Sequence, residues 1–414
     1  MSYFDNVIGY EDIKTELIRI CDMLKNPGKY ALLGVCLPRG ILLCGDPGMG
    51  KTLMAECFMA EGDCKVFTVE ASVLEDNFIE SLFDTFVKAK EEEKAIVYLD
   101  GIDKYVNEEK DPRAAIATLE IFDLCKDTDI LILATANSIQ QIPDSILCTG
   151  RFDKVLELEY PLENDAENIV KYFLRQKKIA EDVDGKEIAD IMAGYSCADL
   201  EAVVNEAGIY AGFDGRDEIS REDLIRSCLR KLFHSPECLA EESREDVMRS
   251  AVHEAGHAVI CEVLTPGSVS LASVRSYTGE MGGIVNVRPS GRYSRTKEEM
   301  EQEIIRKLGG KAAIELVLGK EDVECGNDLS RAFSLVNRLV DDYCVCGFDA
   351  FTGKVNSEKL LARKEKLIAQ EIAKYYNQAK QILTENRAFL DKLSAMLAEK
   401  KILTQREIEA LKIS

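Results

Sequence analysis

The octet Gly45-Asp46-Pro47-Gly48-Met49-Gly50-Lys51-Thr52 follows an apolar run and precedes a helical pattern that begins near Leu53. Strand, glycine-rich loop and helix in that order fit G-x-x-x-x-G-K-[ST]. Backbone N–H groups and a helix N-terminus then converge on phosphate oxygens. Lys51 is expected to reach the β- and γ-phosphates of ATP, and Thr52 to hold Mg2+. Apolar runs over 41–44, 66–69, 95–99, 130–134 and 155–158 read as strands separated by helical patterns. That alternation predicts an α/β module, a parallel sheet with helices on both faces. Asp100 ends the third run and is expected at the magnesium-water shell. Asn137 follows the fourth and is expected near the γ-phosphate or the attacking water, although a polar residue after a strand also serves as a turn former.

From about residue 164 to 233 the pattern is helical, and Ser220-Arg221-Glu222-Asp223 reads as a capping box. Residues 234–245 are polar and read as a linker. The expected organisation is a nucleotide-binding α/β subdomain over 1–160, a helical lid over 161–233, the linker, and a mainly α-helical domain over 246–414.

That last domain carries His253-Glu254-Ala255-Gly256-His257, two of the three histidines of the chain. On a helix, positions i and i+4 share a face, so both imidazoles can reach one Zn2+ with Glu254 beside it. The H-E-x-x-H pattern pairs two nitrogen ligands with a carboxylate that takes a proton from water activated by the metal. The small residues Ala255, Gly256 and Ala258 allow close packing around this helix. Glycines near Met281-Gly282-Gly283 suggest an extended or hairpin region lining the cleft, where an extended substrate can add as a strand. Leu367, Ile368, Ile372, Tyr375, Tyr376, Ala379, Ile382 and Leu383 mark one apolar helix face, read as core.

Composition excludes several classes. The formal net charge of −22 argues against a nucleic-acid partner, because phosphate backbones want clustered Lys and Arg. No stretch approaches the roughly 18 apolar residues of a membrane span, and the start shows no signal-peptide pattern. The 14 cysteines are scattered without C-x-x-C pairs, which fits reduced thiols in the cytoplasm; Cys344-Val345-Cys346 is the closest pair and the one place for a second metal.

Taken together the motifs resemble the FtsH-type ATP-dependent zinc metalloproteases, an AAA+ ATPase joined to a helical peptidase. The resemblance covers nearly the whole chain. It is carried by Val7-Ile8-Gly9, the phosphate loop, Gly150-Arg151-Phe152-Asp153, Gly194-Tyr195-Ser196-Cys197-Ala198-Asp199-Leu200, the two histidines, Gly326-Asn327-Asp328, and Ile382-Leu383-Thr384-Glu385-Asn386. It implies nucleotide contacts at Val7, Ile8 and Gly9, an inter-subunit arginine at Arg151, Asp328 as third zinc ligand with Glu324 as fallback, and Glu254 as catalytic base. It also implies protein or polypeptide substrates and a homo-oligomeric ring, usually a hexamer. A helix N-cap is the other use of Asp328.

Four departures shape the expectation. Where the resemblance implies a water-polarising glutamate after Asp100, this chain has Gly101. General-base help is worth about 10²–10⁴-fold. Gly101→Glu is therefore expected to raise any residual rate. Asp103 has a counterpart that the family does not use as a base, which leaves Glu70 as the candidate substitute. Cys148 occupies the position of an earlier arginine. The region from Ser72 to Phe83 is short and lacks a substrate-gripping pore loop; Phe78-Ile79 reads either as its remnant or as helix core. The family's N-terminal membrane helices do not occur in this sequence, so the chain is expected to be either a soluble member or a truncated one, and its start at Met1 favours a natural soluble form. The expected function is a soluble zinc endopeptidase that binds ATP and hydrolyses it weakly or not at all. The rivals are a fully ATP-driven protease with a substitute carboxylate, from Glu70 or a partner subunit, and a nucleotide-responsive scaffold co-assembling with an active relative.

Overall fold

A computed structural model describes residues 2–69, 78–106, 112–126, 128–238, 243–277, 283–289, 296–321, 323, 325–347 and 357–413. The chain forms two compact units, residues 1–185 with 194–220 and residues 186–193 with 221–414.

The first unit holds strands β1 (Gly40–Cys44), β2 (Lys65–Val69), β3 (Ala95–Leu99), β4 (Ile130–Ala136) and β5 (Phe152–Glu157). They form one sheet in the order β2-β3-β4-β1-β5, with every pairing parallel. All five expected runs are strands. Parallel strands need crossovers, and helices α1 (Glu11–Lys25), α2 (Pro27–Ala31), α3 (Lys51–Gly62), α4 (Phe78–Ala89), α5 (Pro112–Leu124) and α6 (Asp144–Leu147) lie before and between them. Side-chain alternation sorts the central strands between two cores. Leu42, Cys44, Val97, Leu99, Ile132 and Ala134 enter one. Ile41, Leu43, Ile96, Tyr98, Leu131 and Leu133 enter the other. Helices α7 (Glu163–Leu174) and α9 (Cys197–Phe213) follow, and Ser196 opens α9 with a reciprocal cap to Asp199.

Phe78 begins α4, is 5% exposed, and stacks on Tyr105 with ring centroids 4.4 Å apart. It is core, and the pore-loop reading of this residue falls away. Glu70 and residues 72–77 lie outside the described residues.

The second unit contains α8 (Gly185–Ile191, from residue 186), α10 (Arg221–Phe233), α11 (Arg244–Leu264), α12 (Lys297–Lys307), α13 (Gly309–Leu318), α14 (Gly326–Asn337), α15 (Glu358–Glu385), α16 (Arg387–Lys400) and α17 (Gln405–Ile413). Helix α11 starts within the stretch read as a linker, capped by Ser243, whose hydroxyl accepts the Asp246 N–H at 3.1 Å. It is buried along most of its second half, from Ala251 to Glu262. Gly256 lets it meet α13: a Cβ there would lie 2.5 Å from both Ala313 Cβ and Gly309 O. The buried Glu262 carboxylate accepts the N–H groups of Gly267 and Val269 at 2.8 and 3.0 Å, tying the end of α11 to strand β6 (Val269–Ser273). Strands β7 (Ile284–Val287) and β8 (Ile402–Thr404) pair antiparallel on either side of β6. Tyr375, Ala379 and Leu383 of α15 are buried in the helical core, and the other residues of the expected stripe pack against it. All fourteen cysteines are free thiols. Burial pushes Cys125 up to about 12 and Cys261 up to about 11, which keeps these thiols protonated at neutral pH.

Candidate metal centre and nucleotide loop

Helical spacing puts His253 and His257 on one face of α11, with their Nε2 atoms 3.1 Å apart. Asp328, in the first turn of α14, brings Oδ2 to 3.3 Å from His253 Nε2 and 3.0 Å from His257 Nε2. Donor atoms about 2.0–2.1 Å from a tetrahedral zinc lie about 3.3 Å apart, so two imidazoles and a carboxylate at these separations suit that ion. Among the described residues, these three form the one such cluster; Cys344 and Cys346 form none, and Glu324 lies outside the described residues. Burial alone would raise the Asp328 carboxyl, but hydrogen bonds with His253 and His257 outweigh it and hold the group below the usual carboxylate range.

Neighbouring backbone fixes the ring orientations. His257 Nδ1 lies 2.6 Å from the Arg306 carbonyl oxygen at the end of α12, so Nδ1 carries the proton and donates, leaving the Nε2 lone pair free. Gly310 lies flat against the other ring: a Cβ there would come within 2.4 Å of His253 Cε1. Glu254 is 6% exposed. Burial pushes its carboxyl up, against the pull of His257 and His253. Gly283, just before β7, approaches so closely that a Cβ would sit 2.3 Å from Glu254 Cγ and 2.4 Å from Ser273 O. The structure thus places one of the glycines read as lining a cleft against the candidate base; Met281 and Gly282 lie outside the described residues. Sequence reasoning missed Gly310, Arg306 and Lys307, whose charge acts on both Glu254 and Asp328. The Gly309-Gly310 doublet was the readable signal, since paired glycines mark close approach.

In the first unit, β4 lies between β3 and β1, so Asp100, Asn137 and the phosphate loop leave one edge of the sheet side by side. This is where open parallel sheets bind ligands. Gly50 caps α3 at φ +88°, a left-handed conformation that glycine adopts without strain. Lys51 donates from Nζ to Gly45 O and Asp46 O at 2.7 and 2.8 Å. Asp100 Oδ1 accepts the Tyr98 and Thr135 hydroxyls at 3.0 and 2.6 Å, and the Thr52 hydroxyl reaches the same phenol. The Asn137 N–H donates to Asp103 Oδ2 at 3.1 Å. Asp46 accepts the Tyr160 hydroxyl at 2.6 Å, and Pro47 is exposed. Gly48 O accepts the N–H of Ala198 from α9 at 3.1 Å. Met49 is 1% exposed and points into the core, so it offers the loop only its backbone; Leu53 is 45% exposed.

Val7 O accepts Lys14 Nζ at 3.0 Å, Ile8 is half-buried beside it, and Gly9 abuts Asp165. The Tyr10 hydroxyl donates to Glu159 O at 2.8 Å and also lies 3.3 Å from Met49 O, linking this segment to the loop. Arg151 donates to Ser145 O and to Cys148 Sγ. Gly101 has φ +66°, so the turn after Asp100 is built for a residue without a side chain.

The fold and the cluster define an ATPase module joined to a metallopeptidase, and comparison with known proteins agrees. The family model for the ATPase family associated with various cellular activities (AAA) matches residues 41–160, that for the AAA+ lid domain residues 182–226, and that for peptidase family M41 residues 238–359. The ATP-dependent zinc metalloprotease FtsH 2 of Petrotoga mobilis is 30% identical over 99% of this chain and 70% of its own length. The corresponding FtsH proteins of Caldicellulosiruptor bescii and Bacillus subtilis are 30% and 28% identical over 99% of the chain and 71% and 69% of their lengths. The chain belongs to the FtsH-type AAA+ zinc metalloproteases, whose cofactors are Zn2+ and ATP with Mg2+. Among the described residues, no helix is long and apolar enough to cross a membrane.

Proposed function

We propose that this zinc metalloprotease cleaves unstructured or small proteins in the cytoplasm as a homo-oligomeric ring of six, with bound ATP stabilising the assembly more than driving unfolding. The observation that carries the peptidase reading is the convergence of His253, His257 and Asp328 beside the buried Glu254. These three side chains would hold the zinc, which when bound lowers the pKa of water towards about 7 and polarises the scissile carbonyl. Glu254 takes the proton of the attacking water and passes it to the leaving amine. Its burial favours the protonated form, which suits the second half of that task. The Arg306 carbonyl and Gly310 keep the two imidazoles in register. Among the described residues strand β7 pairs with β6 alone, and its other edge is the place proposed for an extended polypeptide, beginning next to Glu254.

For the nucleotide site we propose contacts from Val7, Ile8, Gly9, the loop over 46–53, Asp100 and Asn137, with Arg151 reaching a neighbouring subunit. Gly101 carries no carboxylate and Cys148 no cation, which supports weak hydrolysis.

Zinc content and casein cleavage test this function, measured with ATP, with a non-hydrolysable analogue and with a chelator, against Glu254→Gln. The expected result is chelator-sensitive cleavage that both nucleotides support and that Glu254→Gln lowers by about 10²–10⁴-fold with its zinc retained. Stimulation by ATP alone would establish the ATP-driven rival. No cleavage under any condition would leave the scaffold.

A further inference from the structure

One buried charge of the first unit has no role in the reading above. Asp103 sits in the short 3-10 turn Ile102–Lys104 after β3 and is 4% exposed. Its Oδ2 accepts the Asn137 N–H, while its Oδ1 is enclosed without a hydrogen-bond donor. An unmatched buried polar atom costs on the order of 1–3 kcal/mol, and more when charged. Such an atom calls for a reason, among them a catalytic role. The other carboxylate at this edge of the sheet is already engaged, since Asp100 Oδ1 accepts two hydroxyls. Gly101 adds none. The Asp103 carboxylate also favours the charged form of Lys51, against the burial that disfavours it. Lys51 is spending its hydrogen bonds on its own loop, at Gly45 O and Asp46 O.

We propose that Asp103 is the catalytic carboxylate of ATP hydrolysis in this chain, its unpartnered Oδ1 accepting a hydrogen bond from the water that attacks the γ-phosphorus. On nucleotide binding Lys51 exchanges the loop carbonyls for the phosphates, and Asp103 Oδ1 takes the incoming water as its donor. The water oxygen forms a bond to phosphorus as the bond to the β–γ bridging oxygen breaks. The electron pair leaves with ADP, and the water's proton passes through Asp103 to the released phosphate. Asn137, held by Oδ2, stays aligned beside the same phosphate. This inference rests on the nucleotide reading above and gives the weak hydrolysis a residue.

Asp103→Asn in the full-length chain tests it, because the amide keeps an acceptor for the Asn137 N–H and removes only the charge. A fluorescent ATP analogue should bind the variant within about threefold of the parent. Phosphate release should fall at least tenfold, within the range of lost general-base help. Affinity for ADP–aluminium fluoride, which mimics the transition state, should fall by a similar factor. Unchanged phosphate release and unchanged ADP–aluminium fluoride affinity would overturn the assignment and leave Asp103 as a support for Asn137. Should the amide variant fail to fold, Asp103→Ser is read in the same way. A parent chain that binds ATP and releases no phosphate overturns the assignment alone. One that binds no ATP overturns the nucleotide reading itself.

Discussion

At Gly310 one methyl group decides whether the His253 imidazole keeps its place. With a Cβ due 2.4 Å from the ring, Gly310→Ala forces the ring or the helix to move. Overpacking of this kind costs about 1–3 kcal/mol. The expected outcome is that loss in urea unfolding together with at least a tenfold weaker hold on zinc, read by metal titration with a chromophoric chelator. Gly101 brings a different lesson. Sequence alone predicts a gain in phosphate release from Gly101→Glu, but the left-handed φ of +66° charges any side chain about 1–2 kcal/mol there. The variant should unfold at lower urea by that amount. His253, Glu254 and His257 were legible because their spacing is local and helical. Gly283, Gly310 and the Arg306 carbonyl were legible only as glycines or not at all, because their place beside the site comes from α11 meeting α12, α13 and the β6–β7 hairpin, which no local pattern encodes.

Among the elements, β1, β3 and β4 were readable because each is an apolar run buried along its whole length, and buried parallel strands need little else. Strand β8 was not. Ile402-Leu403-Thr404 is too short for a period, and only its pairing with β6 makes it a strand. Helix α4 shows the opposite case, a residue the sequence leaves between two readings. Phe78 could be read two ways because an aromatic residue in a shortened segment fits a loop or a core equally well, and its stack on Tyr105 decides for the core. Phe78→Ala is accordingly expected to destabilise the first unit by about 3–5 kcal/mol. Thermal melting should show that loss, while the KM for a casein-derived peptide stays within about twofold of the parent.

On the scale of the whole molecule, the two units have separate hydrophobic cores, and the sites proposed for nucleotide and for zinc fall in different units. Ligands that bind only the native state stabilise it by RT ln(1 + [L]/Kd), about 2.7 kcal/mol at a hundredfold excess over Kd. Calorimetry is therefore expected to resolve two transitions. A non-hydrolysable ATP analogue should raise one, and zinc removal should lower the other. A single transition moved equally by both would contradict this separation.

The link between Ala198 N and Gly48 O has its own consequence. The carbonyl of Gly48, in the loop proposed to cradle phosphate, is also the acceptor at the start of α9. A nucleotide that shifts this peptide would tug on that helix, so its arrival would become mechanical news at a distance, whether or not a phosphate is ever cut.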